Sequence, residues 1–297
     1  MMKDYVICID ASVDIDQNYI DKNNIVIIPM KYILGETEKL MENRLSDAAL
    51  VDFYNAMRAG EMTHTSQITP YYYQQVFRRE AEKGHDILYI SLSGGLSSTY
   101  ASALSAAEEI TDEFEERHEA LSIEVVDSRA ATGGMGLLLM MAVRARENGV
   151  SLSDNAAALR ANAGKVCHWF LVDDLSYLRR GGRISAATAV AGTVLNIKPI
   201  LKIADDGTLI SIAKKRGLAK AAAFLTDCYR DAYDPALPSD VIVAHADCLE
   251  EAEAARDRVL SINPDANVEI CGLGPVIGAH TGPGMMAVIH WGNRNHI

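Results

Sequence analysis

The chain predicts an α/β protein, with a parallel three-layer α/β/α sheet in its first half and a mixed, helix-backed sheet in its second. Three observations carry this. Short runs such as Tyr5–Ile9 and Ile87–Ile90 are apolar without alternation, as in strands buried on both faces. Longer stretches with marked helix starts separate them. In the second half, Asp205-Asp-Gly-Thr208 joins two apolar runs as a hairpin would, which makes that pairing antiparallel.

Taken in order, the first half offers strands at Tyr5–Ile9, Ile25–Ile28, Ile87–Ile90 and Ile123–Val126. Helices are expected at Asp47–Ala59, Pro70–Lys83, Ala101–Glu116 and Ala131–Asn148. Ser46 suits the N-cap of the first, Thr69 followed by Pro70 opens the second, and Ser97 suits the cap of the third. After a further helix-like stretch at Ser153–Ala163, a second unit begins near Lys165. Its strands are expected at Cys167–Val172, Lys198–Ile203, Leu209–Ile212, Val241–Ala244, Val268–Cys271 and Met285–Trp291. The expected division is 1–164 and 165–297. No internal repeat or linker separates the two units, so they should pack closely with a cleft between them.

Composition narrows the function. The 297 residues carry a net charge of −12, which disfavours non-specific binding to nucleic acid. The charge is uneven, since Arg179 to Lys220 holds nine Lys/Arg against two acids. Such an island suits a localised negative partner, or simply a solvated face. No apolar run is long enough for a membrane span, and the N-terminus lacks a signal-peptide core. The five cysteines are scattered and never in CxxC, as expected of reduced thiols in a cytoplasmic protein. No histidines pair at metal-ligand spacing, so neither a metal nor a cofactor is expected.

One turn concentrates chemistry. Ser91-Leu-Ser-Gly-Gly-Leu-Ser-Ser-Thr-Tyr100 lies between a strand and a helix, where unpaired N–H groups and hydroxyls gather. It lacks the lysine of a phosphate loop, so it suits a small anion such as a carboxylate. Thr65-Ser-Gln67, Gly181-Gly-Arg-Ile-Ser185 and Gly278-Ala-His-Thr-Gly-Pro-Gly284 are further hydroxyl- or glycine-rich stretches. The second should join two helices, and the third should hold His280 in a permissive loop. Each alone is ordinary turn chemistry. Asp127 to Gly136 is only a partial dinucleotide fingerprint, with Leu139 at the third glycine position.

Together and in this order, these stretches resemble the DegV family of bacterial fatty-acid-binding proteins. The matching residues are Thr65-Ser-Gln67, Leu92-Ser93 with Leu96-Ser97 and Thr99-Tyr100, and Asp127-Ser128 with Gly134 and Gly136. They continue through Tyr177-Leu178, Gly181–Ser185, Leu195-Asn-Ile-Lys-Pro-Ile200, Arg216 and Gly278–Gly284. Ile68 stands where proline is frequent and Ser98 where glycine is usual.

The resemblance implies the two-domain DegV (EDD) fold, with one long-chain fatty acid of about C16–C18 held in a tunnel between the domains. It places the carboxylate on Thr65, Ser93 and Gly94, with His280 close by. Neutral donors of that kind can hold a carboxylate without a full counter-charge. It further implies that a separate fatty acid kinase phosphorylates the bound acid to an acyl phosphate for phospholipid synthesis, with Arg183 and Arg216 in docking or phosphoryl transfer. The protein itself would be a carrier and not an enzyme, with transient membrane contact allowed. The charge-free stretch Ile184–Leu195 offers wall residues for the tail. A free-standing enzyme using Ser93 and His280, either a serine hydrolase or one related to small-molecule phosphotransferases, remains the alternative. Ser91 occupies a required glycine position of a hydrolase elbow around Ser93, yet His280 could serve Ser93 as a base.

Overall fold

The computed structural model describes residues 4–185 and 196–296. Chain order in the first half is β1 (Tyr5–Asp10), α1 (Gln17–Lys22), β2 (Val26–Ile28), β3 (Met30–Leu34), β4 (Thr37–Met41) and α2 (Asp47–Arg58). There follow β5 (Thr63–Ser66), α3 (Pro70–Glu82), β6 (Asp86–Ser91), α4 (Thr99–Glu116), β7 (Ile123–Asp127), α5 (Gly133–Glu147) and α6 (Leu152–Asn162). Strands β2-β1-β6-β7 form a fully parallel sheet. Helices α3 and α4 pack together on this sheet, and α5 and α6 form another packed pair against it.

The helix starts follow from their caps. Ser46 Oγ accepts the Ala49 N–H, and Thr69 Oγ1 accepts the Tyr72 N–H beside Pro70. Ser97 works from one residue further out than expected: Ser98 is the N-cap, while Ser97 Oγ accepts the Thr99 N–H.

The second half contains β8 (Val166–Leu171), α7 (Ser176–Arg180), β9 (Ile197–Ile203), β10 (Leu209–Arg216), α8 (Leu218–Ala232) and β11 (Asp240–His245). It ends with α9 (Leu249–Ile262), β12 (Asn267–Gly272), α10 (Pro275–Thr281) and β13 (Met286–Trp291). Its mixed sheet has the order β10-β9-β8-β13-β11-β12. The expected β9–β10 hairpin is antiparallel, but β10 runs on to Arg216 past a bulge between Ser211 and Ala213. That extension puts Lys214, Lys215 and Arg216 on an edge strand, where cations discourage pairing with another chain.

This sheet separates two apolar cores, and β8 shows the division residue by residue. Val166 and Phe170 join the core shared with the first sheet, whereas Cys167, Trp169 and Leu171 join the one under α8 and α9. Helix α5 is common to both halves, touching β1 and β6 on one side and β8, β11 and β13 on the other. Its glycines make that possible. A Cβ on Gly133 would lie 2.5 Å from Ile242, and one on Gly136 would lie 2.4 Å from Ile15. Gly133-Gly-Met-Gly136 is therefore a close-packing device.

Three readings of the sequence need correction. A small antiparallel sheet, β4-β3-β5, was not anticipated. It is short, and Gly35 at φ +60° turns its hairpin between runs too brief to show a period. Second, α10 extends into the stretch 278–284 expected as a loop, so His280 sits in the last turn of a helix. Third, α5 starts at Gly133, two residues later than expected, because Thr132 takes φ +47°. Ile184 is buried and Ser185 exposed, while the rest of the proposed wall, 186–195, and any helix there lie outside the described residues.

Candidate functional site

The unexpected small sheet supplies the first site residue. Strand β5 runs beside α10, with Thr63 Oγ1 donating to the Ala279 carbonyl at 3.0 Å. Two residues on, Thr65 Oγ1 lies 2.7 Å from His280 Nε2. Helix α10 is itself held at its start. Tyr54 donates to the Leu273 carbonyl at 2.8 Å, and Asp14 Oδ1 accepts the Gly274 N–H at 2.9 Å. Behind the imidazole is Gly181, where a Cβ would lie 2.2 Å from His280 Nδ1. Glycine there admits the ring.

Burial pushes the His280 pKa down to about 4, assisted by Arg183 and His64. The imidazole is therefore neutral at neutral pH. Arg183 brings the full positive charge. Its Nε donates to the Leu96 carbonyl at 3.0 Å and its Nη1 to the Gly181 carbonyl. No acid faces it among the described residues, and burial alone lowers its pKa.

These groups border a cleft holding about 770 Å³ of empty space, part of it open to solvent. One end carries Thr65, Ser66, Gln67, Arg183 and His280. The rest of the lining is mostly apolar, with Met30, Phe170, Ile203, Val276 and Met285 beside the polar Ser97, Thr132, His168 and Thr281. Phe170 and Ile203 come from the second sheet, Met30 from the small sheet, and Val276 from α10. The cleft thus lies where all these elements meet.

The turn after β6 contributes Leu92, Leu96 and Ser97 to the cleft, but its expected anion donors are engaged elsewhere. Ser93 is fully buried; its Oγ donates to the Gly207 carbonyl at 2.8 Å and accepts the Gly95 N–H at 3.2 Å. The Gly94 N–H is given to Asp127 Oδ1 at 3.1 Å. The structure therefore joins Thr65, His280 and Arg183, and leaves the Ser93 hydroxyl and Gly94 N–H outside that group. Arg216 is exposed at the end of β10 and does not border the cleft.

Sequence reasoning overlooked what holds the turn. Asp10 is buried and accepts the Leu92 N–H at 2.9 Å, the Ser12 N–H at 3.1 Å and the Tyr89 hydroxyl at 3.0 Å. Burial raises its pKa while these bonds pull it down. Two acids in Asp10-Ala-Ser-Val-Asp14, directly after an apolar strand, were the available signal. Among the described residues no group of three His, Cys, Asp or Glu could hold a metal ion. No described helix is long and apolar enough to cross a membrane.

Comparison with known proteins places this architecture. Residues 4–291 match the DegV family model, described as "Uncharacterised protein, DegV family". The DegV domain-containing protein CPE0026 of Clostridium perfringens is 34% identical over 292 residues, covering 98% of this chain and 99% of the relative. A fatty-acid-binding DegV family protein from Thermus thermophilus superposes with a TM-score of 0.84 at 26% identity, over 98% of this chain and 100% of that one. DegV of Bacillus subtilis, a fatty acid binding protein, gives 0.82 at 26% identity over 97% and 99%. With a family match over nearly its whole length and the same fold, this chain belongs to the DegV family.

Proposed function

We propose that this protein binds one long-chain fatty acid in the cleft, between the units 1–164 and 165–297. The carboxylate lies against Thr65, His280 and Arg183, and the tail runs along the apolar walls. The observation that carries this is the 2.7 Å Thr65–His280 pair beside an arginine with no acidic partner among the described residues, in a cleft of mostly apolar lining. The fatty acids bound by the relatives from Thermus thermophilus and Bacillus subtilis support the ligand class. About 15 buried methylenes at ~0.8 kcal/mol each would contribute roughly 12 kcal/mol before ordering costs, enough for tight binding.

Ser93 and Gly94 enter this reading as supports. Through Gly207 and Asp127 they fix the turn that places Leu96, whose carbonyl holds Arg183. The finer step is presentation of the carboxylate to a separate kinase. There a carboxylate oxygen would attack the γ-phosphorus of ATP and release ADP, giving an acyl phosphate. It is supported by the family resemblance, by the exposure of Ser66 and Gln67 at the polar end, and by the cations Arg183 and Arg216. The rival hydrolase finds less support, because His280 pairs with Thr65 while the Ser93 proton goes to a main-chain carbonyl.

Titration with octadecanoic acid tests the head-group assignment. Thr65→Val and Arg183→Gln should each weaken binding by about tenfold or more, as expected for one charge-assisted hydrogen bond. Unchanged affinity in both variants would remove these residues from the site.

A further inference from the structure

Arg294 follows the last strand, β13, and is only 1% exposed. Among the described residues, every hydrogen bond its guanidinium gives goes to a main-chain carbonyl. Nε and Nη2 donate to Val166 at 3.0 and 2.7 Å, and Nη1 donates to Ala204 at 3.1 Å. Nη2 also reaches Ala163 at 2.9 Å and Arg129 at 3.1 Å. One planar group thus joins three places: the junction of α6 with β8, the entry to the β9–β10 hairpin, and the turn after β7. Burial lowers its pKa, and Asp205 and Asp127 offset this only from a distance. The tail is held in return. Lys202 Nζ donates to the Arg294 carbonyl at 3.0 Å, and Asn295 Nδ2 donates to Asp205 Oδ2 at 2.8 Å.

Two of those places flank the turn that carries Leu96. On the hairpin side, the Ala204 carbonyl also accepts the Gly207 N–H at 2.9 Å, and the Gly207 carbonyl takes the Ser93 hydroxyl. The two backbones nearly touch, as a Cβ on Gly95 would lie 2.5 Å from the Gly207 carbonyl carbon. On the other side, Arg129 takes φ +45°, uncommon for a residue with a side chain. Its N–H goes to Asp127 Oδ1, which also holds the Gly94 N–H. The next carbonyl, of Ala130, accepts the Ser93 N–H at 3.0 Å. Arg294 therefore ties down both flanks of the turn. From that turn the Leu96 carbonyl receives Arg183 Nε at 3.0 Å.

We infer that Arg294 is a positioning residue for the head-group site: it holds the turn 91–97 from both flanks and so aims Arg183 at the ligand carboxylate. This rests on the fatty-acid reading above and adds a residue remote from the ligand, since Arg294 does not border the cleft. The residue type fits the task. Burying a cation against neutral carbonyls is costly, so an apolar side chain would serve packing alone better. A planar guanidinium reaches several carbonyls at fixed angles, which a lysine ammonium does not. Removing it would leave those carbonyls short of donors and free the hairpin and the turn after β7 to shift. The Leu96 carbonyl would move with them and re-aim Arg183. The tail-binding residues Met30, Val276 and Met285 belong to other segments and would keep their places.

The test loads the delipidated full-length protein from an equimolar mixture of octadecanoic acid and octadecan-1-ol, which share a tail and differ at the carboxylate. Native mass spectrometry reads the ratio of bound acid to bound alcohol, and the total lipid per chain. Wild type should favour the acid by about tenfold or more, and Arg183→Gln should remove most of that preference. Arg294→Gln should remove about as much, with total lipid still near one per chain. The double variant should lose no more than either single one, because both act through the same guanidinium. Should Arg294→Gln not fold, Arg294→Lys, which keeps the charge without the planar fork, should show the same loss. A folded variant with the wild-type ratio, or a double variant whose loss is the product of the single ones, refutes the positioning role and leaves the fatty-acid reading standing. Equal weakening of acid and alcohol does the same, as the mark of a purely structural residue. If wild type shows no preference for the acid, the head-group assignment and the role of Arg294 fall together. If it takes up neither lipid, the fatty-acid reading itself falls.

Discussion

Asp14 shows how one residue carries position and a thermodynamic load together. Its Oδ1 fixes Gly274 at the head of α10 and its carboxylate takes a hydrogen bond from Thr132, yet burial outweighs both and raises its pKa to about 7. An unfolded aspartate titrates near pH ~4. Between about pH 4 and 7 the folded chain therefore holds the proton more firmly, and stability from this group falls as pH rises through that window. Asp14→Asn keeps an acceptor for Gly274 and tolerates the positive φ of 42°. It should flatten this dependence and stabilise the protein above pH ~7, by up to about 4 kcal/mol. Denaturant melts across the pH range would show it, and a variant less stable than wild type at pH ~8 would refute the assignment. His280 works in the opposite sense: its pKa is depressed to about 4, so its contribution is present above pH ~6.5 and lost as acid charges the ring.

At the scale of elements, the site depends on contacts between segments far apart in sequence. The turn after β6 rests on the β9–β10 hairpin through Ser93 and Gly207. Gly207 has φ +79°, and a Cβ there would lie 2.2 Å from Ser93 Oγ. Gly207→Ala should therefore strain the hairpin and displace the turn, destabilising by about 1–3 kcal/mol. It should cost more than Ser93→Ala, which removes only the hydrogen bond. Equal melting temperatures for Gly207→Ala and wild type would contradict this. The same contacts mark the limit of what sequence could show. Strands and helices with long apolar runs or capped starts, such as β1, β6 and α3, were legible because their signals are local. The sheet β4-β3-β5 was not, although Thr65 was singled out from it. Its strands are short, and β5 packs against α10, more than two hundred residues later in the chain. Thr65 and His280 were named, but that Ser93 faces Gly207 and Arg183 faces Leu96 is a matter of tertiary contact.

For the whole molecule, the two sheets share α5, and the cleft opens beside the start of that helix. Gly133, Gly134 and Gly136 let the packed elements approach closely there. Lys214, Lys215 and Arg216 on the edge of β10, and Arg183 at the cleft, are local positive charges on a chain of net charge −12. Binding a fatty acid in this position would tie the halves together and should raise the melting temperature with ligand concentration. The most direct measurement is native mass spectrometry, with organic extraction, of the protein purified from cells without added lipid. One fatty acid of about C16–C18 per chain is the predicted result, retained because its tail is buried. A chain that carries no lipid, and shows no thermal shift when such acids are added, would contradict the account.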